Sequence, residues 1–156
     1  MIRKLVISLV ALGTLALPIS VPEKAIADDS FVTMDQLIAY EAKKAEREWS
    51  NQLVAYSQTL VGKRTGQCVM AVRNYFGVSK NDVQGKARST KPNSKDPKVG
   101  SVIVLNLSKV GHVGIVIAVD GELVTYFDSN GNWTQRGAIR TIIKSDRRII
   151  GYRVVK

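Results

Sequence analysis

Helical patterns come first along this chain and strand patterns follow, which predicts an α+β fold with N-terminal helices packed on an antiparallel β-sheet of about five strands. Three observations carry that expectation. Helix-forming patterns are confined to residues 33–77, the apolar runs after Ser101 are short and of strand type, and Asp120-Gly121 between two such runs is a strong hairpin signal. The 156 residues are 45% hydrophobic and 23% charged, enough for one domain with a proper core and too apolar for wholesale disorder.

The chain begins with Arg3 and Lys4, an apolar run over residues 5–17, Pro18, and then Ala25-Ile26-Ala27. A positive start, an apolar stretch and an A-x-A site predict a secretory signal peptide over residues 1–27, cleaved before Asp28. The run is short, and interrupted by Pro18, for a spanning helix, and an uncleaved membrane anchor is the alternative. With no cysteine near the cleavage site, a lipid anchor is not expected. The mature chain is therefore expected to be secreted, periplasmic or in the cell wall.

Thr33 with Gln36 three residues on is a capping-box signature, and residues 41–48 are rich in helix formers. Ser50 reads as the cap of a second helix carrying Leu53, Val54, Ser57 and Leu60. Residues 28–51 thus form an acidic helical lead-in, and residues 52–156 the main domain. A third helical pattern opens at Cys68, with Ala71, Val72, Tyr75 and Phe76 on its face and Gly77 as its stop. Residues 78–98 are polar and basic, with Pro92 and Pro97, and read as a long surface loop of the kind that lines clefts. Strands are expected at residues 101–105, 111–119, 122–127, 138–143 and 149–155.

Charge narrows the partners. Residues 28–60 hold three basic and six acidic groups, a net of −3, and residues 61–156 hold 17 and six, a net of +11. A positive body outside the cytoplasm points to an anionic partner, and a cell-wall polymer fits the location. Nucleic acid fits the charge alone, since no arginine-dense recognition helix or aromatic stacking platform is present, and is not expected. The lead-in, residues 33–50, is a candidate surface for an envelope protein partner.

The chain has one cysteine, Cys68, and one histidine, His112. No internal disulfide and no Cys/His zinc cage can form, so no metal or organic cofactor is expected. Cys68 falls where a helix begins, and free N–H groups there favour a thiolate and can hold an oxyanion. By position alone it reads more readily as a small hydrophobe on a buried stripe. His112 starts a strand in which Val113, Ile115, Ile117 and Val119 form the core face, so His112 points to the other face, beside Gly114 and Ala118. An incidental surface histidine is the bland alternative. If residues 119–121 form a three-residue loop, His112 falls opposite Asp128 and near Asn130, and a carboxylate or amide there fixes the imidazole tautomer. A two-residue loop would put Ser129 opposite His112 and turn Asp128 away.

Gly66-Gln67-Cys68, Pro97-Lys98-Val99-Gly100-Ser101, Gly111-His112-Val113-Gly114-Ile115-Val116 and Asp128-Ser129-Asn130, in that order, resemble the CHAP family. These are cysteine- and histidine-dependent amidohydrolase/peptidase domains of the papain-like clan, and the resemblance covers about residues 52–156. It implies a papain-like core, with a cysteine helix on an antiparallel sheet that carries the histidine, and hydrolysis of peptidoglycan amide bonds. It makes Cys68 the nucleophile and His112 the general base and acid. Asp128 stands where many members have glutamate, and Asn130 matches the asparagine two residues on. Gln67 and Trp133 are the candidate substrate contacts. Val69-Met70 replaces the threonine-tryptophan that often follows the cysteine, and Lys63 and Arg64 stand near an expected aromatic position. The alternative is a non-catalytic cell-envelope binding or assembly module that keeps the fold.

Overall fold

The computed structural model describes residues 32–129 and 133–155. The expected signal peptide at residues 1–27, its cleavage point before Asp28, and Asn130 lie outside the described residues.

Helix α1 runs over Met34–Leu60. It starts with the capping box that the sequence predicts: the Gln36 N–H donates to Thr33 Oγ1 at 3.2 Å, and the Thr33 N–H donates to Gln36 Oε1 at 2.8 Å. Where the sequence suggests a second helix capped by Ser50, the first simply continues, because no glycine or proline interrupts residues 34–60. The Ser50 hydroxyl instead donates to the Ile117 carbonyl at 2.7 Å. Residues 34–49 are exposed throughout, whereas Leu53, Ser57 and Leu60 are buried.

Helix α2 covers Cys68–Phe76 and ends at Gly77 as predicted. Gly77 is left-handed (φ 67°) and its N–H meets the Arg73 carbonyl at 3.1 Å, while the Val78 N–H reaches Val72 at 3.4 Å. The segment over residues 78–98 is less superficial than its composition suggests. It holds a short 3₁₀ turn, Ala87–Ser89, and buries Val83, Ala87 and Thr90.

Five strands follow: β1 (Val102–Leu105), β2 (His112–Asp120), β3 (Leu123–Ser129), β4 (Gly137–Ile143) and β5 (Ile149–Arg153). They form one antiparallel sheet in the order β4-β3-β2-β1-β5. On one face Val102, Val104, Val113, Ile115, Ile117 and Phe127 pack with Leu53 and Leu60 of α1 and Val69, Ala71 and Val72 of α2. Tyr56, Phe76 and Phe127 meet in series from α1 through α2 to β3, the first pair edge-to-face and the second tilted, with ring centroids 5.5 and 5.2 Å apart. The other face forms its own cluster from all five strands, including Leu105, Val116, Tyr126, Ile142 and Tyr152.

The β2–β3 hairpin departs from the predicted register. Asp120 pairs with Leu123, so the turn is two residues, Gly121 and Glu122, rather than three. Ile117 is then skipped between the Val116–Tyr126 and Ala118–Thr125 pairs, a β-bulge. Asp128 therefore opposes Gly114 and not His112. Side chains alternate along a strand, so Asp128, Gly114 and His112 still share one face.

Candidate active site

Cys68 opens α2 behind Gln67, whose backbone is extended (φ −68°, ψ 150°). The turn into the helix needs Gly66, left-handed at φ 83°. The half-buried thiol meets the His112 imidazole and backbone groups of Val113 and Val69. Burial pushes the thiol up, but the hydrogen bond and charge of His112 and those backbone hydrogen bonds outweigh it and bring it below its ordinary value.

His112 is the first residue of β2, and it is 7% exposed, which removes the surface-histidine reading. Its backbone is set by two glycines. Gly111 is left-handed (φ 73°), and a Cβ there would lie 2.8 Å from the backbone nitrogen of Arg88. A Cβ on Gly114 would lie 2.6 Å from the Phe127 carbonyl oxygen and 2.7 Å from the Tyr126 ring. His112 Nε2 lies 2.9 Å from Asp128 Oδ2, which leaves Nδ1 as the ring nitrogen for Cys68. Burial would lower the imidazole; hydrogen bonds and charge from Asp128 and Cys68 lift it to about 9. Both shifts favour a thiolate–imidazolium pair.

The last two residues of β3 serve the two halves of this pair from opposite faces of the strand. Asp128 holds His112, while the fully buried Ser129 turns to the cysteine segment. The Thr65 hydroxyl donates to Ser129 Oγ at 2.8 Å, and Ser129 donates to the Gly66 carbonyl at 2.5 Å. The segment ahead of Cys68 is tied further to the chain before β4. Thr65 N–H meets the Gln135 carbonyl at 2.9 Å, and Gly62 N–H meets the Gly137 carbonyl at 2.9 Å.

The family profile of the CHAP domain matches residues 40–130, more than half of the chain. The chain belongs to the CHAP family. The fold is similar to that of Ly7917 alone (18% identity, TM-score 0.51, covering 66% of this chain and 60% of that one). It is equally similar to Ly7917 with the hydrolyzing product of MDP (18% identity, TM-score 0.50, 66% and 61%). The wild-type endolysin LysIME-EF1 also matches, at 20% identity and TM-score 0.42 over 66% and 62% of the two chains. This chain spans about three fifths of the length of these structures. No curated protein sequence matches it.

Within this CHAP domain, Cys68, His112 and Asp128 come together as the sequence expects, although through a different hairpin register. Gln67 is the residue preceding α2. Trp133 is 78% exposed and left-handed (φ 60°). Three residues of the CHAP site escape the sequence reading: Thr65, Ser129 as a hydroxyl tether, and Arg140, whose Nε lies 3.0 and 3.2 Å from the Asp128 oxygens. The buried serine inside Asp128-Ser129-Asn130 was the available signal for the tether. Arg140 had none, because the β3–β4 register is not written in either strand. Among the described residues no three His, Cys, Asp or Glu side chains gather to hold a metal, and no helix is long and apolar enough to cross a membrane.

Proposed function

We propose that this CHAP domain is a secreted cysteine hydrolase that cleaves amide bonds of bacterial peptidoglycan, as an endopeptidase or as an N-acetylmuramoyl-L-alanine amidase. The observation that carries this reading is the buried His112–Asp128 pair with the Cys68 thiol on its imidazole, at the start of a helix. The structural likeness to Ly7917, a protein crystallised with the hydrolyzing product of MDP, supports the substrate class. In this reading residues 1–27 direct export, residues 28–51 are a lead-in open to an envelope partner, and residues 52–156 are catalytic.

The chemistry is acyl transfer. The Cys68 thiolate adds to the amide carbonyl carbon, and backbone N–H groups of the first turn of α2 receive the developing oxyanion. The imidazolium of His112 protonates the leaving amine as the C–N bond breaks. His112, now neutral, takes a proton from water as the water attacks the thioester, and Cys68 leaves as thiolate. Asp128 holds the ring throughout, and Asn130 is the second candidate orienting group. Gln67 and Trp133 are the proposed substrate contacts.

The test is dye release from labelled peptidoglycan by residues 28–156, beside Cys68→Ala. Release by the wild type alone, with new amine termini identified by mass spectrometry, fixes both the activity and the bond. Wall binding without release from several wall types would replace the enzyme with a binding module. The pH dependence is a second prediction. Activity needs thiolate and imidazolium together, so it rises as pH climbs through the lowered thiol value and falls as pH passes about 9, where His112 loses its proton. A profile still rising above that pH would remove His112 from the acid role.

A further inference from the structure

Asp128 has a side chain with no solvent exposure, yet two cationic groups converge on it from different strands. His112 Nε2 on β2 lies 2.9 Å from Oδ2. Arg140 Nε on β4 lies 3.0 Å from the same oxygen and 3.2 Å from Oδ1. The register shows how both reach it. The residues directly opposite Asp128 are Gly114 on β2 and Ala138 on β4, the smallest side chains available. His112 and Arg140 are the next residues on the same face, two positions beyond, and can fold over those small neighbours onto the carboxylate.

The other ionisable groups here do not duplicate Arg140. Tyr126, beside Asp128 on β3, is pushed up to about 12 by burial and by the charge of Asp128, so it remains a neutral phenol. Arg148, which acts on Tyr126, is paired with Asp146 at 2.6 Å. Arginine keeps its charge across the working pH range and presents it in a fixed plane.

We propose that Arg140 is a positioning residue of the site: its guanidinium holds the Asp128 carboxylate square to His112 and completes an alternating row of thiolate, imidazolium, carboxylate and guanidinium whose charges sum to zero. This rests on the reading of Cys68 and His112 as the working pair. Without Arg140 the activated row carries one net negative charge in a largely buried setting, which disfavours the thiolate. The carboxylate also loses the group that fixes its rotation, and the imidazole loses a fixed partner.

One cysteine and one histidine make the test direct, because thiol alkylation reports only Cys68 and imidazole nitrogen resonances report only His112. In Arg140→Gln the low-pH limb of iodoacetamide alkylation moves up by about half a pH unit or more. The ¹⁵N signal of His112 Nε2 shifts, and kcat on peptidoglycan falls about tenfold or more with KM within about twofold. Arg140→Lys restores the charge but not the fixed Nε–H that spans both Asp128 oxygens, so the alkylation limb returns towards wild type while kcat recovers only in part. A folded Arg140→Gln with the limb and the Nε2 signal unmoved overturns the proposal, as does a variant that changes KM alone. If Arg140→Gln does not fold, Arg140→Lys decides, and wild-type kcat in that variant overturns the positioning role. Alkylation and NMR need no wall substrate. Failure of peptidoglycan release with these shifts intact would count against the function and leave the role of Arg140 standing.

Discussion

The two segments that meet in the site are held by opposite means. The cysteine segment is tethered by added groups: Thr65 and Ser129 hydroxyls, and backbone pairing to residues 135–137. The histidine segment is held by the absence of atoms, since Gly111 and Gly114 let Arg88, Phe127 and Tyr126 approach within distances that no Cβ tolerates. Hydrogen-bond tethers weaken in steps as groups are removed. Close backbone packing has no intermediate, because the smallest possible side chain already overlaps main-chain atoms.

That contrast sets an order of damage. Gly114→Ala has the largest expected effect, about 3 kcal/mol of stability, because the displaced Phe127 carbonyl belongs to the β2–β3 ladder itself. Urea unfolding measures it, and a loss below about 1 kcal/mol would mean that the strands part easily and the contrast is overstated. Ser129→Ala comes next, at about 2 kcal/mol, since it strands the buried Thr65 hydroxyl and frees the Gly66 carbonyl. Its alkylation rate at Cys68 should fall while the His112 Nε2 resonance stays in place, which separates the two supports. Thr65→Val is the mildest, about 1 kcal/mol, because Ser129 keeps its bond to Gly66. Equal losses in the two variants would make Thr65, not Ser129, the centre of the tether.

The reach of the sequence follows the same division. Elements with local signals are legible: the Thr33–Gln36 capping box and the left-handed stop at Gly77 form as read, and β2 alternates as read from His112 to Val116, but the bulge at Ile117 turns Val119 from its expected core face to the opposite cluster. The pairing of His112 with Asp128 is legible as well, but the predicted route to it is not the one taken. The sequence reading reaches a shared face through a three-residue loop, whereas the chain uses a two-residue turn and one bulged residue, Ile117. The turn moves the register by three residues and the bulge takes one back, a net shift of two, so both routes arrive at the same face. A bulge has no strong residue preference, and what meets its carbonyl is Ser50, sixty-seven residues away, which locally resembles a helix cap. Arg140 is hidden for the same reason, because its partnership exists only once β3 and β4 are in register.

Helix α1 contains two stretches of unequal stability in one unbroken run of hydrogen bonds. Its last three turns bury Leu53, Ser57 and Leu60 and can open only with the core they belong to. Its first turns, exposed on every side, are supported by the capping box and by helix propensity, which leaves an isolated stretch of that length marginal in water. Opening from the Thr33 end therefore costs little and stops near Ser50. Amide exchange and proteolytic nicking over the first turns of the helix then proceed as local events, while the site stays fully folded.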